Sequence, residues 1–192
     1  MTQVPTNDDR EEWANYLRAE MNAYKDDVAI LDTQCQDDIQ KCWLQRVGPT
    51  QLGAMLADRQ SAERMLSDPD PTLRDVALSV LAYHWGRDAQ LAARCEELAV
   101  SDPDNGVRST ALHCLSSCYG NTSDSRVGQL LARMVRDEAQ SMKVRIAAYE
   151  GLFHVRGVPP HLRPISLEKL LRGDQFRFPE DVDWAFVDSF GR

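Results

Sequence analysis

Leu73, Ala77, Leu78 and Leu81 recur with the three-to-four-residue period of one face of a helix, with polar residues at most positions between them. The pattern returns at Val107, Ala111, Leu112 and Leu115, and again at Val144, Ala148, Tyr149 and Leu152. Two further stripes alternate with these: Leu91, Cys95 and Leu98 within 88–99, and Val127, Leu130, Leu131 and Met134 within 125–136. Each neighbouring pair of stripes predicts a helical hairpin. Upstream, Trp13, Leu17, Met21, Tyr24, Val28 and Leu31 predict one long helix, and Cys35, Ile39, Cys42 and Trp43 a second. Gly48 and Pro49 separate this section, 1–48, from the repeated region, 49–157. In 158–192, Pro159, Pro160 and Pro164 break the pattern, a short helix is predicted over 166–171, and an aromatic segment occupies 181–190.

The hairpins are copies of one another. The stretch from Leu66 to Gly86 recurs from Val100 to Gly120 at an offset of 34, and a looser copy from Val135 to Gly157 matches the second at 37. Turns are expected at 66–74, 100–108 and 135–145, the last one two residues longer. Asp68-Pro69-Asp70 and Asp102-Pro103-Asp104 end one helix and begin the next, because proline interrupts the ladder and aspartate accepts from free first-turn amides. Gly86, Gly120 and Gly157 are expected to stop the second helices in the left-handed conformation.

A tetratricopeptide unit has a similar period, but its Trp-x2-Leu-Gly-x2-Tyr pattern is missing from all three copies. The Asp-Pro-Asp-x-x-Val-Arg turn instead resembles the HEAT repeat, including the bacterial HEAT-like subgroup also seen in phycobilisome lyases. The resemblance covers about 50–157 and implies an all-α, right-handed α-α superhelix of stacked hairpins. It also implies a ladder of Asp and Arg between repeats, carried here by Asp68 and Arg74, Asp102 and Arg108, and Asp137 and Arg145. In such proteins the second helices line the inner surface. The fifth residue after each repeat arginine is then Ser79, His113 and Glu150, and the ninth is Tyr83, Ser117 and His154. Ser79, Tyr83, His113, Glu150 and His154 are therefore the candidate binding residues. His113, Glu150 and His154 also form an imidazole–carboxylate–imidazole set suited to a divalent ion or acid–base work. Helices packed about 8–10 Å apart hold such groups far for shared metal ligation, which favours a polar recognition groove with no metal.

The five cysteines are odd in number, lack CxxC spacing and lie inside helical patterns, so they predict buried free thiols in a reducing cytoplasm. No nucleophile elbow, P-loop, dinucleotide fingerprint or HExxH occurs, so no catalytic residue and no cofactor is assigned. No targeting signal or membrane span is read from the chain. The 192 residues carry 22 Lys+Arg against 30 Asp+Glu, a net charge of -8, which argues against a broad nucleic-acid grip. The charge is uneven. Residues 1–40 hold ten acids and three bases, whereas 125–172 hold nine bases and four acids. This polarity suits a basic partner at the first region, an acidic peptide or phosphate at the second, or head-to-tail self-association.

Phe176, Phe178, Phe186, Phe190 and Trp184 crowd the last segment, as a cap for the final repeat or as a peptide-like element for a partner. The function expected is a non-enzymatic protein-interaction module or adaptor. The alternatives are a phycobilisome-lyase-like chaperone or lyase, which the resemblance implies, and an acidic immunity-type inhibitor of a basic enzyme.

Overall fold

The apolar stripes become helices because each is opened by a side-chain cap and closed by a turn. In the computed structural model, residues 40–159, 162–163 and 177–191 are described. The helices expected through Trp13–Leu31, the positions of Cys35 and Ile39, the short helix at 166–171 and Phe176 lie outside them. The chain divides into two compact units, Met1–Gly48 and Pro49–Arg192. In the first, residues 40–48 are helical and Trp43 is buried. Gly48 takes a φ of 77° immediately before Pro49.

In the second unit, residues 49–57 are helical and lead into α1 (Arg59–Met65) and α2 (Pro71–Val80), which continues as a π-helical turn at Leu81–Trp85. Then come α3 (Ala89–Ser101), α4 (Asn105–Cys118), α5 (Ser125–Arg136), α6 (Met142–Arg156) and a short α7 (Trp184–Asp188). No strand occurs among the described residues. Asp58, Asp70, Asp88, Asp104 and Asp124 each accept from first-turn amides of the following helix, as Ser141 does for α6. Each such cap is worth about 1 kcal/mol, so many of the acids that make the chain anionic have structural work.

The helices pair as α1–α2, α3–α4 and α5–α6, and the second members pack side by side, α4 between α2 and α6. This is an all-helical, HEAT-like stack of hairpins. The stripe of α4, Val107, Ala111, Leu112 and Leu115, is wholly excluded from solvent, as are Val144, Ala148, Tyr149 and Leu152 of α6. Each fully buried leucine or valine contributes about 1.5–3 kcal/mol, so these contacts dominate the cohesion of the stack.

The helix ends correct one expectation. Gly157 does take the left-handed conformation, φ 71°, but Gly86 adopts φ 97° with an extended ψ, and Gly120 has no positive φ. After α4 the left-handed positions are Asn121 and Ser123, whose amides donate to the His154 and Val155 carbonyls at 2.9 Å. The loop thereby satisfies the end of α6, which decides where the chain reverses. After α2 the π turn aims Trp85 Nε1 at the Met55 carbonyl, 2.9 Å, and brings His84 Nε2 within 3.2 Å of the Leu56 carbonyl.

Between repeats, Arg74 makes a two-pronged bond to Asp102, Nε and Nη2 each 2.8 Å from a carboxylate oxygen, and its Nη1 donates to the Asp68 and Pro69 carbonyls. The pair is buried, with side-chain exposure of 10% and 3%. The ladder is carried by different atoms elsewhere. Arg108 donates to the Asp102 carbonyl and to Asn105 Oδ1, and its buried Nε has no acceptor among the described residues. Asp137, in the longer turn, accepts from the Ala139 amide and Gln140 instead. Arg145 donates to the Val135 carbonyl and lies 4.7 Å over the Phe178 ring.

The last described segment lies on the final hairpin. Phe186 stacks on Phe153 at 4.5 Å, Phe190 meets Phe186 edge-on, and Tyr149 Oη accepts from the Asp183 amide at 2.9 Å. Gly128 gives Phe190 its seat, since a Cβ there would strike the Phe190 ring. Arg136 closes the edge onto Asp188 at 2.6 Å.

The buried rung yields a stability prediction. Burial raises the Asp102 pKa, but the Arg74 bonds and the Asp104 amide outweigh it and leave the carboxyl below its ordinary value. Its contribution is therefore present above about pH 4, the unfolded carboxylate value, and is lost as pH falls through the lower folded value. Asp102→Ala, which strands a buried guanidinium, should cost about 3–5 kcal/mol in urea unfolding. The double variant Arg74→Met/Asp102→Leu should recover most of that loss. Equal loss in both would show that the carboxylate acts through the loop and not through the pair.

Candidate binding site

With their apolar stripes buried against one another, α2, α4 and α6 keep a polar side on which the two rows of candidate residues fall. Ser79 is half-buried, and its Oγ donates to the Asp75 carbonyl one turn back, so its hydroxyl serves its own helix. Tyr83, on the π turn, is 49% exposed, with the Arg87 guanidinium 6.0 Å from its ring centre. Arg87 also donates, at 3.5 Å, to the carbonyl of Ser117 in α4. The three ionisable positions come together. His113 Nε2 on α4 lies 3.8 Å from Glu150 Oε2 on α6, and His154 stands one turn beyond Glu150.

The residue that sequence reasoning missed is Arg163. It follows α6 by seven residues, beyond a proline break, where no periodic pattern points to it. Its Nε donates to the Val158 carbonyl at 2.8 Å, folding the loop back, and its Nη1 donates to His154 Nε2 at 2.8 Å. That bond requires an unprotonated Nε2, so His154 carries its proton on Nδ1 in this arrangement. Burial first, and then the fields of Arg163, His113 and Arg87, pull its pKa down to about 4. Burial likewise lowers His113, helped by Lys143, and raises the Glu150 carboxyl against the opposing pull of Arg163. The His113–Glu150 approach is thus a contact between groups both pushed toward neutrality.

This chemistry suits hydrogen bonding more than metal binding. Among the described residues no group of three or more His, Cys, Asp or Glu is arranged to hold a metal, and a guanidinium occupies the acceptor nitrogen of His154. The thiols of Cys95 and Cys114 interact inside the core, and that contact together with burial raises the Cys95 pKa. Burial, with Cys114 adding, lifts Cys118 to about 11. Protonated thiols in this position are packing groups, not nucleophiles. On the other side of the stack, a groove of about 530 Å³ runs over Leu66, Leu81 and Leu91. Its rim charges pair with one another, Arg59 with Glu63 and Asp88, and Arg94 with Glu97.

Comparison with known proteins agrees with the repeat geometry. Residues 61–153 match the family model for HEAT repeats. The matched stretch runs from α1 into α6 and takes in all three turns, which supports a HEAT-repeat family; the phycobilisome-lyase-type subgroup gains no separate support. No curated protein matches the chain, and no solved structure does. Among the described residues no helix is long and apolar enough to cross a membrane.

The depressed His154 pKa gives a direct check. In an NMR titration His154 should stay neutral through pH 5 and protonate near 4, while in Arg163→Gln it should move up toward the ordinary value of about 6.5. A folded pKa below the unfolded one means that the unfolded chain binds the proton first. The stability contributed by neutral His154 is therefore intact above about pH 6.5 and falls away as pH drops toward 4. A wild-type pKa near 6.5 would contradict the buried, Arg163-bonded imidazole.

Proposed function

We propose that this chain is a protein-interaction module or adaptor that receives its partner on the polar side of α2, α4 and α6. HEAT repeats are commonly protein-interaction modules, which supports this class of reading. The observation that carries the reading is the row itself. Tyr83, His113, Glu150 and His154 stand on three successive second helices, exposed or half-buried, while the arginines of the turns are engaged by carbonyls and Asp102. A rigid stack holds such a row in fixed register, so little ordering entropy is lost when a partner docks. Aromatic and imidazole side chains supply contact area together with directed hydrogen bonds.

A pull-down with the immobilised full chain tests this. Partners retained by wild type should be lost when Tyr83→Ala and His113→Ala are combined, and kept in Val100→Ser, which alters an exposed position on α3. Loss in Val100→Ser with retention in the double variant would move the binding surface to the other side of the stack.

A further inference from the structure

We propose that the polar surface around His113, Glu150 and His154 takes an acidic segment of a partner protein, its carboxylates docking on Arg163 and Arg87 and its apolar side chains on Leu162 and Tyr83. The inference rests on the interaction-module reading above and specifies the partner's chemistry.

The argument starts from charge. The groups whose fields reach His113 and His154 include Lys143, Arg87 and Arg163, and Glu150 is the carboxylate that faces His113. Both imidazoles are neutral near pH 7, so the balance of these described groups is positive in a molecule whose net charge is -8. Lys143 stands at the edge of this region, its Nζ near Gly106 at the start of α4. Among the described residues, that leaves Arg163 and Arg87 as the arginines whose fields reach His154.

Both keep donors that meet no acceptor among the described residues. Arg163 spends Nε and Nη1 on Val158 and His154, and its Nη2 donates to nothing among the described residues. Among the described residues Arg87 makes one long bond, to the Ser117 carbonyl. A half-buried guanidinium whose orientation is already fixed loses little freedom on accepting a carboxylate, and bonds to charged groups are stronger than neutral ones. His154 Nδ1–H and the two nitrogens of His113 add neutral partners for peptide groups.

The apolar neighbours favour a peptide over a free anion. Leu162, immediately before Arg163, is 62% exposed, and Tyr83 lies beneath Arg87. Each cation thus stands beside an exposed apolar or aromatic surface, the pairing that an acidic chain with interspersed apolar side chains would fill. Nucleic acid is disfavoured because the acidic remainder of the molecule repels a polyphosphate at longer range.

The test is fluorescence anisotropy of a labelled peptide of alternating Glu and Leu with the full chain. Saturable binding should weaken as salt rises from about 0.05 to 0.5 M, since the Debye length shrinks across that range. Arg163→Glu and Arg87→Glu should each weaken it by about tenfold or more, and Glu150→Gln should tighten it. Arg87 is exposed and its bond to the Ser117 carbonyl is long, at 3.5 Å, so its variant reports on binding even if Arg163→Glu disturbs the loop. A peptide that does not bind, binds both charge-reversal variants as well as wild type, or is matched by a Lys–Leu peptide overturns the proposal, as does full competition by inorganic phosphate or duplex DNA. If the acidic peptide fails while retained partners stay sensitive to Tyr83 and His113, the acidic specificity falls and the interaction module stands.

Discussion

A hairpin in this chain has more apolar surface than its own two helices cover, and that constraint organises everything else. The stripe of α4 is wholly buried because α3 covers one side while α2 and α6 flank it. A single repeat would leave much of that surface in water, so the repeats are stable only as a stack. The end of the stack faces the same difficulty. Phe178, Phe186 and Phe190 answer it on the final hairpin, with Gly128 leaving room for a ring where a side chain would otherwise stand.

Stacking divides the polar residues into two groups. Those in the turns are consumed by structure: aspartates cap helices, and the repeat arginines bind carbonyls or, in one case, a carboxylate of the next repeat. Those on the other side of the second helices meet one another and Arg163. Burial pushes His113, Glu150 and His154 toward their neutral forms, and Arg163 fixes the tautomer of His154. The result is a polar surface held by the most deeply packed helices of the fold, the kind of rigid support on which recognition depends.

Much of the architecture was legible from spacing, because the offset of 34 exposes the hairpins and the Asp-Pro-Asp turns mark their ends. The bonds that cross between repeats were less so. Arg74 pairs with Asp102, not with the Asp68 carboxylate six residues before it, since the register of neighbouring turns is set by packing that a linear pattern does not contain. Asp137 is taken up by its own longer turn, and Arg145 finds a carbonyl and a phenylalanine ring. The row of His113, Glu150 and His154 followed from counting along the repeats. Arg163 did not, because it belongs to a returning loop, and only the fold brings it over α6. The π turn at Leu81–Trp85 was equally hidden, its purpose being to meet the carbonyls of Met55 and Leu56.

The claim that one side of α2, α4 and α6 builds the stack while the other receives a partner is tested most directly by hydrogen–deuterium exchange of the full chain with and without a captured partner. The account predicts added protection in 83–87, 113–117 and 150–163, and little change in α1, α3 and α5. Protection centred instead on the groove over Leu66, Leu81 and Leu91, or on 177–191, would contradict it.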